Sequence, residues 1–137
     1  MIFLNLKGKP VNKNLSKYSI DWDGKSRSKI QFQTKQFLKP FWKNHVVMEE
    51  CPVTGTLLKV DILNATLRIA VEINGQQHSG YHYFHNGQPL NYLKGIKNDT
   101  KKLQWLELNG YQLIEINYDE VPILSREFFK EKFGLIL

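Results

Sequence analysis

What this chain has little of narrows its function first. Cys51 is the one cysteine in 137 residues, so no internal disulfide can form, and a reducing compartment is expected. No apolar run approaches the ~20 residues of a membrane span, so no membrane partner is expected. Residues 1–6 are too short for the roughly 7–15-residue apolar region of a signal peptide, which points to the cytoplasm. There are no internal repeats and no low-complexity segment. Acid is scarce beside base: 13 Asp and Glu stand against 19 Lys and Arg, a net charge of +6 and a pI near 9.4. Such a balance favours a polyanionic partner. Hydrophobic residues make up 42% of the chain, as in a folded domain rather than a disordered tail. The length fits a single domain over 1–137.

The positive charge is uneven. Residues 1–29 hold Lys7, Lys9, Lys13, Lys17, Lys25, Arg27 and Lys29 against Asp21 and Asp23, a net of +5. With Gly8, Pro10, Gly24 and scattered Ser and Asn, 1–27 reads as a basic arm or loop, with a short strand around Tyr18, Ile20 and Trp22. Two readings stand level: an arm that tracks phosphates, and a flexible solvated terminus.

Residues 59–78 carry the chemistry. Val60 and Ile62 alternate with Lys59 and Asp61, and Ile69, Val71 and Ile73 alternate with Arg68, Ala70, Glu72 and Asn74. That is two strands with one apolar face each, reversed near 64–66 where Asn64 suits a turn. If the apolar faces share a core, an even-numbered loop puts Asp61 and Glu72 together on the other face. Like charges on neighbouring strands destabilise the pair. At about 4 Å and an effective dielectric of about 20 the repulsion approaches ~4 kcal/mol. A hard divalent cation between the acids removes that penalty, since Mg²⁺ takes carboxylate oxygens and keeps several waters. The plain alternative is two acids on a solvated sheet face.

Around this hairpin the pattern alternates helix and strand. Ser28 is a candidate cap for a helix to about residue 39, with Ile30, Thr34, Phe37, Leu38 and Phe41 as its buried stripe and Pro40 ending or kinking it. Residues 45–50 read as a strand and 51–55 as a turn. Residues 79–91 lack periodicity and carry His82 and His85 among aromatics; with His78 they invite a zinc reading, which the glycines and the lack of nearby cysteines oppose. Stacking or phosphate contact suits His82 and His85 better. Residues 92–109 read as a second helix, with Gly110 as its C′ residue and Lys94, Lys97 and Lys101 as a basic stripe, solvated or laid against a DNA backbone. Residues 111–117 read as a strand, and Ser125 as the cap of a short last helix anchored by Phe128, Phe129 and Phe133. The expected fold is α/β, a central mixed sheet of four to five strands flanked by helices.

Asp61, a short gap and then Glu72-Ile73-Asn74 resembles the core motif of the PD-(D/E)XK nuclease superfamily. Gly75-Gln76-Gln77-His78, Asp99-Thr100-Lys101-Lys102 and Asn109-Gly110-Tyr111 are similar to its branch near very-short-patch repair endonucleases and phage free-standing homing-type endonucleases. The resemblance spans about residues 28–121. Val60 stands where the motif has Pro, and Asn74 where it has Lys.

The resemblance implies a restriction-endonuclease-like fold and a metal-dependent DNA endonuclease in a bacterial or phage-infected cell. It implies Mg²⁺, with Mn²⁺ as a substitute, held by Asp61, Glu72 and the Ile73 carbonyl. Asn74 would position the water, and Gln77 and His78 would shape the phosphate pocket. Gln31 matches a first-helix position where relatives carry an acid; here a supporting or DNA-contact role is expected, or an ordinary polar helix face. Lys25, Arg27, Lys29, Lys94, Lys97, Lys101 and Lys102 would contact the backbone of double-stranded DNA, with Lys101 or Lys102 near the scissile phosphate. A chain this short is expected to work as a homodimer. Two alternatives remain: a catalytically inactive DNA-binding module of the same fold, and a structure-specific nickase or resolvase.

Overall fold

The computed structural model describes residues 1–75 and 100–137. Within them the chain is mixed α/β. A four-stranded sheet runs in the order β3 (Val47–Pro52), β4 (Lys59–Asn64), β5 (Ile69–Asn74), β6 (Gln112–Asn117), antiparallel except for the parallel β5–β6 pair. A separate two-stranded sheet joins β1 (Ile2–Leu4) to β2 (Pro10–Asn12). The helices are α1 (Lys29–Trp42), α2 (100–108) and α3 (Arg126–Phe133). Among the described residues no helix is long and apolar enough to cross a membrane.

Local chemistry accounts for most boundaries. Ser28 is extended (φ −141°) and its hydroxyl accepts the Gln31 N–H at 3.2 Å, the expected cap of α1; Ser125 accepts the Phe128 N–H at 3.0 Å for α3. Gly110 (φ 75°) follows α2, where an L side chain would be strained. The β4–β5 loop spans 65–68 and closes with Arg68 at φ 58°. Asn64 Oδ1 stabilises it by accepting the Leu67 N–H at 2.9 Å.

The sheet is covered on both faces. Ile62, Val71, Ile73, Ile114 and Ile116 pack with Leu38 and Trp42 of α1 and Phe129 of α3. Met48, Leu63 and Ala70 pack on the other side with Trp105 and Leu106 of α2 and with Phe3. The face expected to be polar is therefore a second core. Part of the expected amino-terminal arm is packed chain: Phe3 is 3% exposed and stacks on Trp105 with ring centroids 5.0 Å apart.

Helix α1 departs from expectation twice. It continues through Pro40 to Trp42, which is buried, and the Lys43 N–H still donates to Lys39 O at 3.0 Å. One lost donor is tolerable when the last turn is anchored in the core. Its fully buried residues are Gln31, Thr34, Lys35, Leu38 and Trp42, while Ile30, Phe37 and Phe41 pack at the margin. The helix is rotated because Glu49 of β3 lies beneath Gln31 and Lys35 and accepts from both.

Candidate functional site

The register Ile62↔Val71, Leu63↔Ala70, Asn64↔Ile69 carries Asp61 towards Glu72 across the even-numbered loop. There the carboxylates themselves bind the opposite backbone. The Ile73 N–H donates to Asp61 Oδ2 at 2.8 Å, and the Asp61 N–H donates to Glu72 Oε2 at 3.1 Å. Each acid is thus fixed by the strand that bears the other.

Both open into one pocket of about 200 Å³, lined by Arg27, Asp61, Glu72, Ile73, Asn74, Lys102, Leu113 and Glu115. Lys102 Nζ lies 2.7 Å from Glu72 Oε1, and Arg27 Nη2 lies 3.2 Å from Asp61 Oδ1. Arg27 Nε also approaches Glu50 Oε1 at 3.6 Å. Three carboxylates therefore share the pocket with two cations. Burial, reinforced by the Asp61 charge, pushes the Glu72 carboxyl up to about 7, although the Lys102 ammonium pulls the other way. Glu50 is raised by burial and then by Asp61, with Arg27 opposing. Glu50 also has φ 52°, unusual for a side-chain-bearing residue within a strand.

The donor chemistry suits a hard divalent cation: two carboxylates in a half-enclosed site, each also paired with a cationic side chain, and the pocket-lining Ile73, whose backbone carbonyl is the third expected donor. Among the described residues no group of three or more His, Cys, Asp and Glu is placed to hold a metal. The cation would thus keep several waters, which Mg²⁺ does readily.

The expected residues fall into three groups. Asp61, Glu72, Ile73, Asn74, Arg27 and Lys102 meet at the pocket, where the Asn74 amide donates to Asn117 Oδ1 at 3.1 Å. Lys25 and Lys29 are exposed on the chain either side of Arg27, and Lys101 is half-buried on α2 beside Lys102. Gln31 requires correction as a DNA contact or a polar helix face: it is fully buried and its amide donates to Glu49 Oε2 at 2.8 Å. Gln77, His78, His82, His85, Lys94 and Lys97 lie outside the described residues, as does Asp99.

Sequence reasoning missed Glu115, Glu50 and the Lys35–Glu49 pair. Glu115 is aligned with Glu72 by the parallel β5–β6 register. Its alternation with Ile114 and Ile116 was a readable signal of facing, but nothing in the sequence names the neighbouring strand.

Comparison with known proteins adds one relative. No protein-family model matches the chain, and no solved structure matches it. The chain is similar to uncharacterized protein 033L of Invertebrate iridescent virus 3, at 31% identity over 97 residues, or 68% of this chain and 50% of the viral protein. The chain thus spans about half the length of that curated relative.

Proposed function

We propose that this chain is a Mg²⁺-dependent DNA endonuclease that hydrolyses phosphodiester bonds, with Mn²⁺ able to substitute and a homodimer as the working form on double-stranded DNA. The observation that carries the reading is the meeting of Asp61 and Glu72 in one pocket with Lys102 and Arg27. Asp61, Glu72 and the Ile73 carbonyl would hold the cation, which when bound supplies charge stabilisation and acidifies water. The chain's own groups do the rest. Lys102 and Arg27 bring positive charge to where a phosphoryl group would gain negative charge. Asn74, whose amide donates to Asn117 Oδ1, would position the attacking water. Exposed Lys25 and Lys29 extend the positive surface beside Arg27.

The test is cleavage of duplex DNA with Mg²⁺ or Mn²⁺ by the native chain and by Glu72→Ala. Activity that disappears in the variant supports the reading. Equal activity in both assigns cleavage elsewhere.

A second reading is favoured by one observation: both acids already have cationic partners, Lys102 and Arg27, within the chain. A non-catalytic DNA-binding module would need no more. DNA binding without cleavage under either cation selects it.

A further inference from the structure

Lys35 is fully buried on the face of α1 that also buries Gln31, Thr34, Leu38 and Trp42. Taking an ammonium and a carboxylate out of water carries a desolvation penalty that their attraction often fails to offset, and apolar replacements often stabilise such sites. Stability alone therefore gives no reason for an ion pair here. Its bonds suggest another. Lys35 Nζ donates to Glu49 Oε1 and to Gly24 O, each at 3.0 Å. Glu49 Oε2 accepts from Gln31 Nε2 and from Ser26 Oγ, each at 2.8 Å. Two residues on, Ser28 is held as the cap of α1. Residues 24, 26 and 28 are thus all fixed, and Arg27 sits between two of the anchors.

Glu50 completes the grip. A regular pleat sends Glu49 and Glu50 to opposite faces. With Glu50 at φ 52°, both carboxylates reach the same segment, Glu49 taking Ser26 and Glu50 pairing with Arg27. The Arg27 side chain remains 63% exposed while touching Asp61. A guanidinium has five donors in a planar fork suited to phosphate oxygens, and Asp61 accepts one of them here.

We propose that the Lys35–Glu49 pair is a clasp that holds Arg27 at the pocket mouth as a contact for a phosphodiester anion, which makes Lys35 and Glu49 positioning residues. The inference rests on the polyanion-binding half of the proposed function and not on cleavage.

The experiment is the salt dependence of duplex DNA binding, by fluorescence anisotropy, for the native chain, Arg27→Ala, Lys35→Met with Glu49→Leu, and the three substitutions combined. One lost phosphate contact lowers the slope of log affinity against log salt by about 1. Arg27→Ala and the clasp variant should each show that loss, and the triple variant should lose no more than Arg27→Ala. A clasp variant with the native slope, additive losses in the triple variant, or no effect of Arg27→Ala overturns the proposal. Should the clasp variant not fold by circular dichroism, Ser26→Ala removes one anchor from the partly buried rim: a reduced slope supports the clasp, and a native slope overturns it. DNA bound with these slopes but never cut sinks the nuclease reading alone. A native chain that does not bind DNA overturns this inference.

Discussion

Asp61 and Glu72 each accept a backbone N–H from the other's strand, at 2.8 and 3.1 Å, where the β4–β5 ladder gives way. The two acids are locked by main-chain geometry rather than by flexible surface packing, and this makes the pocket's charge balance measurable.

The pH dependence of stability follows from Glu72. Its folded value of about 7 lies above the ordinary 4.5, so the fold favours the neutral carboxyl. That contribution is complete below about 4.5 and is lost as pH rises through about 7. In EDTA the thermal midpoint should fall between pH 5 and 8, and Glu72→Gln should flatten the slope. Millimolar Mg²⁺ should raise the midpoint at pH 8 in the native chain and not in Glu72→Gln, by the mass-action rule that a hundredfold excess over Kd adds about 2.7 kcal/mol.

Lys102→Met removes the ammonium 2.7 Å from Glu72 and leaves that carboxylate unpaired in a half-enclosed site. The expected cost at pH 8 is about 1–3 kcal/mol, below the ~3–5 kcal/mol of a fully buried pair because solvent reaches both groups. At pH 5, where Glu72 is mostly protonated, the cost should shrink. Urea denaturation at the two pH values checks this, and an equal loss at both would contradict it.

Phe3 fastens the β1–β2 sheet to α2 through its stack on Trp105. Phe3→Ala should destabilise the domain by about 3–5 kcal/mol, the range for emptying a buried aromatic site. Under native conditions, the proposed DNA cleavage, measured per folded molecule, should be unchanged, because the stack lies outside the pocket.

Cys51 is fully buried, and burial pushes its thiol up to about 12. A thiolate-seeking reagent at pH 8 should modify it slowly in the native chain and fully in urea. Fast native labelling would show that the β3–β4 region opens readily.

Much of this fold was legible from local chemistry. Ser28 and Ser125 as caps, Gly110 as the residue after a helix, and the even loop behind Asn64 all depend on a few neighbouring residues. The parity of that loop brought Asp61 and Glu72 together. The buried face of α1 was not legible. A hydrophobicity count selects Ile30 and Phe37, whereas Lys35 and Gln31 go inside because Glu49, from a later strand, supplies their partner. The amino-terminal hairpin was missed for a similar reason: its lysines dominate the composition, but Phe3 finds a site formed by Trp105, about a hundred residues away.

Short-range physics, then, was determined by the sequence itself: periodicity, capping, turn parity and the excess of positive charge. The tertiary structure alone decided that Glu115 aligns with Glu72, that Lys102 and Arg27 close on the two acids, and that a buried lysine grips the segment bearing Arg27. Those relations depend on which strands become neighbours and how helices rotate on the sheet. Both are settled by burial and charge pairing summed over the whole core, which no local window of residues contains.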